Sequence, residues 1–142
     1  MTSEHLLHTI PPIYDRNSKI LILGSFPSVK SREVSFYYGH PQNRFWRVLA
    51  AVLGCAVPSS NEEKTALLHS HNIALWDIIK SCDIVGSSDS SIKNVVPNDI
   101  GTILSSCGIR QIYSNGKTSE KLFNKYIKDT VGRDTVALPS TS

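Results

Sequence analysis

Cysteine is scarce in this 142-residue chain. Cys55, Cys82 and Cys107 are odd in number and more than twenty residues apart, so neither a disulfide framework nor a Cys-x-x-Cys metal or iron–sulfur site is written here, and reduced, buried thiols are expected. Long apolar runs are missing too. No 18 consecutive apolar residues occur and no basic-then-apolar leader follows Met1, which argues against a membrane span and a signal peptide. With hydrophobic residues at 40% and charged ones at 19%, wholesale disorder is excluded as well, and a soluble cytoplasmic protein is expected. No period of 20–50 residues repeats and no Pro/Gly/Ser tract divides the chain, so residues 1–142 read as one domain, large enough to bury roughly 68–70% of its unfolded surface. Neither Gly-x-x-x-x-Gly-Lys-Ser/Thr nor Gly-x-Gly-x-x-Gly is present, which removes the phosphate-binding P-loop and the dinucleotide fold. Among His5, His8, His40, His69 and His71 only the last two are close, and an i, i+2 pair points to different helix faces, so no metal site and no cofactor are expected. Charge of one sign is not in large excess. Fifteen Lys and Arg against twelve Asp and Glu leave +3, a bias that suits a polyanion without requiring one.

What is present is an alternation of strand and helix patterns. Residues 19–24 form a solid apolar run stopped by Gly24, the signature of a strand covered on both faces. Shorter runs at 73–76, 109–113 and 135–138 match it. Phe45, Val48, Leu49, Val52 and Leu53 fall on one helical face before Gly54. A second helix is predicted from Ser60 to about His69, capped by Ser60 or Asn61 with Glu62 and Glu63 in its first turn. Ile100, Ile103, Leu104 and Cys107 give a third helix. Leu122, Phe123, Tyr126 and Ile127 give a fourth, behind Thr118 or Ser119 as cap.

Such an alternation predicts an α/β fold, a mostly parallel four-stranded sheet between helical layers. Ligands of these sheets sit beyond the carboxyl ends of the strands. That places the candidate site at residues 25–28, at Asp77, at 114–116 and at 139–142. In the first of these segments, Gly24, Ser25, Phe26, Pro27 and Ser28 form a turn able to present main-chain N–H groups, or simply a tight turn. The segment Phe36-Tyr-Tyr-Gly-His-Pro-Gln-Asn-Arg-Phe-Trp46 offers tyrosines on which a nucleobase could stack and amides to read its edge. Equally, Asn43 could cap the following helix and the tyrosines could be half-buried core. Residues 87–91, with Ser88 and Ser91 flanking Asp89, could touch phosphate through hydroxyls or form an ordinary loop.

Taken in order, Gly-Ser-Phe-Pro-Ser28, Tyr37-Tyr-Gly-His-Pro-Gln-Asn-Arg-Phe-Trp46, Ala74-Leu-Trp-Asp77, Gly86-Ser-Ser-Asp-Ser-Ser-Ile92, Asn115-Gly116 and Leu138-Pro-Ser-Thr-Ser142 resemble the uracil-DNA glycosylase superfamily, and within it the hypoxanthine-DNA (deoxyinosine) glycosylase branch. The resemblance spans residues 19–142. It implies the three-layer αβα fold of that superfamily and hydrolysis of the N-glycosidic bond of a deaminated base, chiefly hypoxanthine, flipped out of DNA. No cofactor or metal takes part, and the protein acts as a monomer on DNA.

The same resemblance implies that Asn43 is the catalytic amide and that Tyr38 stacks on the base. Asp77, His40 and Asn115 lie about that base, with the residues 24–28 turn. Ser140, Thr141 and Ser142, with Ser88 and Ser91, touch DNA. Two positions depart from the superfamily. Phe26 stands where many members carry a water-activating Asp or Asn, and Leu138 where others carry an electrophilic His. A turn N–H would suit hypoxanthine O6 and oppose the adenine amino group, while Asp77 accepts from N1–H. Lys80, Lys93, Lys117 and Lys121 line the DNA side or are solvated charges. The rival readings are a uracil glycosylase acting at mismatches and a domain of the same fold that binds DNA or a nucleobase without cutting.

Overall fold

The computed structural model describes residues 3–86 and 88–142. The chain runs β1 (Glu4–Leu7), β2 (Ile20–Gly24), α1 (Val29–Val34), α2 (Phe45–Leu53), α3 (Asn61–Ser70), β3 (Ile73–Asp77), β4 (Ile79–Ile84), a 3-10 turn at Asp89–Ser91, β5 (Lys93–Pro97), α4 (Ile100–Ser106), β6 (Gln111–Asn115), α5 (Lys117–Tyr126), α6 (Lys128–Val131) and β7 (Val136–Leu138). Strands β3, β2, β6 and β7 lie side by side in that order, every pair parallel.

Alternation along β2 builds the layers. Leu21 and Leu23 point into one core with Ile100, Ile103, Ile112, Phe123 and Ile127, which seats α4, α5 and α6. Ile22 points the other way, into a core with Phe45, Trp46, Leu68, Ile73 and Leu75 that seats α2 and α3. A solid apolar run in β2 is the cost of covering both faces, as its composition predicts. This is the expected αβα arrangement, its four-stranded sheet wholly parallel.

Local chemistry fixes the ends. Ser60 caps α3 in a full capping box with Glu63, and Gly54 closes α2 in the left-handed region at φ 70. The cap expected for α5 is corrected. Gly116 at φ 100 is the residue before the helix, and Ser119 is instead buried inside it, its hydroxyl donating to the Leu23 carbonyl at 2.7 Å. Asn43 stands one position upstream of the α2 cap, Arg44, yet its Oδ1 still accepts the Phe45 N–H at 2.9 Å. The strand expected at 109–113 begins two residues later, because Ile109 packs into the helical core before pairing starts.

A second sheet was not expected at all. β1, β4 and β5 form an antiparallel sheet with β4 in the middle, over a small cluster of Ile79, Cys82 and Ile84 that Phe26 packs against. Its strands are half polar and its pairing joins residues far apart in sequence, so period and composition carry little trace of it. No helix among the described residues is long and apolar enough to cross a membrane.

Candidate active site

The parallel register sets the site. Gly24 lies level with Asp77, and Asn115 with Leu138, so the carboxyl ends of all four strands finish along one edge. Over that edge opens a cavity of about 590 Å³, within the range of small-ligand sites. It is lined by residues 24–28, by Tyr38, His40 and Asn43, by Asp77, by Asn115 to Thr118, and by residues 140–142. The structure therefore brings together the four segments singled out by strand endings, and adds the aromatic segment that precedes α2. Ser88 and Ser91 are not among the lining residues, though Asp89 between them is. The Ser91 hydroxyl is spent within its own loop, accepting from Val85 N–H at 2.8 Å and donating to the Ser88 carbonyl at 2.7 Å. Of the four lysines, only Lys117 reaches the cavity.

The turn after β2 is short of acceptors. Carbonyls of Ser25, Pro27 and Ser28 already take the Ile79 N–H, the Arg32 guanidinium and the Arg32 N–H, so what the turn has left to offer a ligand is mainly amide N–H. Phe26 is wedged between the two sheets, edge-on to the His8 ring at 6.0 Å and under the Arg32 guanidinium at 5.6 Å. Its apolar ring carries no group that could activate water.

Gly24 is required by its neighbours. A Cβ there would collide with Asp77 Oδ1 and come 3.0 Å from the Tyr38 hydroxyl. The Asp77 side chain is 5% exposed, and its Oδ2 accepts a hydrogen bond from His8 Nε2 at 2.8 Å, the imidazole being 2% exposed. Oδ1 is left for the cavity.

Tyr38 sits at φ 54, a left-handed conformation that a tyrosine adopts only when surroundings impose it. Here its ring stacks on Phe45, centroids 4.1 Å apart and planes at 20°, so one ring face is occupied and only the other is available to a base. Its hydroxyl is buried without a hydrogen-bond partner. Burial first, then the Asp77 carboxylate, pushes that phenol far above its ordinary range, against a smaller opposing pull from the Asn115 amide. Tyr37 behaves likewise for the same two leading reasons, but it belongs to the core, donating to the Pro11 carbonyl at 2.8 Å. Both tyrosines line the cavity, Tyr37 from within the core and Tyr38 from its edge.

Asn43 is held by the chain's last residues. Its Oδ1 accepts both the Phe45 N–H and the Thr141 hydroxyl, each at 2.9 Å. A backbone N–H can only donate, so the atom facing it is the oxygen, and the NH₂ group is the part left over. The Thr141 hydroxyl accepts in turn from Asn115 Nδ2 at 3.0 Å, and the Arg44 N–H binds the Thr141 carbonyl at 2.8 Å. Ser140 and Ser142 share a hydroxyl contact of 2.7 Å at the exposed rim. His40 is exposed, its Nδ1 accepting from Gln42 N–H at 3.1 Å. No group of three or more His, Cys, Asp or Glu among the described residues is placed to hold a metal ion.

Sequence reasoning missed His8 and Thr118 as site residues, named Asp89 only as the centre of the residues 87–91 loop, and placed Lys117 on the DNA side only as one of four lysines. Thr118 could have been found as a residue following Gly116, just after β6. His8 carries no local signal, since its partner lies 69 positions away.

The chain is similar in sequence and fold to known proteins. The sequence model of the "Uracil DNA glycosylase superfamily" matches residues 11–142. Over 134 residues the chain is 34% identical to a hypoxanthine DNA glycosylase of Methanosarcina barkeri and 35% identical to one of Methanosarcina acetivorans, in each case across 93% of this chain and 84% of the relative. The solution NMR structure of a candidate uracil DNA glycosylase from Methanosarcina acetivorans superposes with a TM-score of 0.81 at 34% identity, covering 94% of this chain and 83% of the other.

Proposed function

The chain belongs to the uracil DNA glycosylase superfamily and is a DNA glycosylase, and from that premise we propose that it excises hypoxanthine from deoxyinosine in DNA. The observation that carries the reading is the pairing of Asp77 Oδ1, free toward the cavity, with a turn that has mainly N–H to give. Hypoxanthine presents N1–H beside O6, the complement of that pair. Adenine presents a lone pair beside an amino group and opposes it at both points. A site built on such groups rejects the wrong pattern strongly, because its own buried polar atoms would be left unpaired.

Breaking the bond between C1′ and N9 leaves positive charge on the sugar and sends the electron pair into the purine. The Asn43 NH₂ group, fixed by two donors on its oxygen, donates to the base as that charge grows, and the turn N–H groups do the same at O6. Water then forms the C1′–O bond, gives up its proton to solvent or the departing base, and leaves an abasic sugar. With Phe26 beside the cavity and an amide in place of a carboxylate, stabilising the leaving group replaces activation of water. Tyr38 packs its free face on the extruded base, worth roughly 1–3 kcal/mol. Thr141 steadies Asn43, and Ser140 and Ser142 meet the DNA backbone at the rim. The protein acts as a monomer, one flipped base filling one cavity.

A second reading, uracil excision, has support in the name carried by the structural neighbour, since uracil also presents N–H beside a carbonyl. Duplex oligonucleotides bearing inosine or uracil, treated with the protein and then alkali, separate the two. Cleavage at inosine is expected. The Asn43→Ala protein should bind the inosine duplex within a few-fold of the parent and cut it about 10²–10³-fold more slowly, the usual cost of removing one such donor. Binding without cleavage by the parent itself would leave only a nucleobase-binding domain.

A further inference from the structure

We propose that His8 is a positioning residue that sets base specificity: it holds Asp77 as an anion with Oδ1 aimed into the cavity, and so bars adenine. The inference rests on the hypoxanthine reading and deepens it.

The two side chains form a pair of rare burial, 2% and 5% exposed, with Nε2 and Oδ2 2.8 Å apart. With Asp77 ionised, the carboxylate can only accept and Nε2 carries the proton. The imidazole is locked from three sides. Its backbone N–H binds the Lys80 carbonyl at 2.8 Å, which ties it to β4, and its ring lies between Phe26 at 6.0 Å and Tyr37 at 6.2 Å. The other titratable groups at the pair, the hydroxyls of Tyr37 and Tyr38, stay neutral because burial and Asp77 itself oppose their ionisation, so neither sets a second negative charge beside the carboxylate. His8 is thus the side chain among the described residues that hydrogen-bonds it.

Donation to the charged form favours that form, and an isolated buried carboxylate takes up a proton instead. The protonation state decides which base fits. As an anion, Asp77 Oδ1 accepts N1–H of hypoxanthine and repels the N1 lone pair of adenine. As an acid, it donates to adenine N1. Without its histidine partner the same residue would pass from rejecting to accepting adenine, an undamaged base of DNA.

The test measures binding, so it does not depend on turnover. Duplexes carrying 2′-fluoro-deoxyinosine or 2′-fluoro-deoxyadenosine, which resist cleavage at the glycosidic bond, are titrated with the parent, His8→Leu and His8→Gln proteins at neutral pH. The parent should prefer the inosine duplex. His8→Leu should shrink that preference about tenfold or more, and His8→Gln, which restores an N–H donor, should recover it to within about threefold. Equal weakening of both duplexes in His8→Leu, with the preference intact, would mean that His8 only supports the fold and would overturn the proposal.

Should His8→Leu fail to fold, nitrogen-15 NMR of the parent replaces it. The His8 Nε2–H signal should shift on adding the inosine duplex and stay in place with the adenine duplex. A signal indifferent to both would equally overturn the assignment. A parent protein that prefers neither duplex removes the base reading itself, a failure visible before any variant is made.

Discussion

The two sheets divide the work differently. The parallel sheet is buried on both faces, and its edge carries Gly24, Asp77 and Asn115 at the ends of strands whose register lines them up. The antiparallel sheet covers only a small cluster and leaves Lys80 and Lys93 exposed. Yet the antiparallel sheet plants His8, the residue after β1, against Asp77, so a carboxylate offered by one sheet is held by a side chain tied to the other. The parallel sheet makes the cavity, and its partner fixes what stands at the cavity floor.

The largest expected effect tests where stability lies. Phe123 is fully buried in the core beneath β2 and β6, so Phe123→Ala should cost about 3–5 kcal/mol in urea unfolding. A cost below about 1 kcal/mol would break the view that the parallel sheet carries the fold. Next comes the edge that carries the candidate site. Gly24→Ala forces a methyl group onto Asp77 Oδ1 and the Tyr38 hydroxyl, and should slow excision more than about tenfold while moving the unfolding midpoint little, because a small displacement of a reacting group is enough to cost that much. Unchanged excision would show that Asp77 does not read the base.

The smallest effect lies on the antiparallel sheet. Asp83 on β4 is held below the usual carboxylate range by hydrogen bonds from Asn94 first and His5 second. A lowered carboxylate stabilises the fold above its unfolded-state value and loses that contribution as pH falls through the folded one. Amide hydrogen exchange in β1 should therefore quicken below about pH 4, when corrected for intrinsic rates, while β2 stays protected. Equal quickening in both strands would mean that the two sheets open together.

Legibility follows the same division. The apolar run of β2 and the glycine after it announce themselves within a few residues, and the rule that ligands gather at strand ends then points to residues 25–28, Asp77, 114–116 and 139–142. The face expected for α2 is corrected: Val48 and Val52 are exposed, and Trp46 and Ala50 are buried beside Phe45 instead. The role of Ser119 was hidden. A serine near a helix start reads as a cap, and only the approach of the Leu23 carbonyl turns it inward. His8 was hidden more deeply, one residue past an antiparallel strand pair whose register joins Leu7 to Ser81. Contacts spanning that much chain are decided by packing, which no local pattern records.

The rings behind the cavity have a practical consequence. Tyr38 stacks on Phe45, Phe45 meets Trp46 edge-on at 4.9 Å, and the Trp46 indole donates to the Tyr37 carbonyl at 3.1 Å. A purine pressing on Tyr38 shifts the electrostatic surroundings of that indole through two touching neighbours, so the emission colour of Trp46 can announce each arrival of a flipped nucleotide without any attached dye.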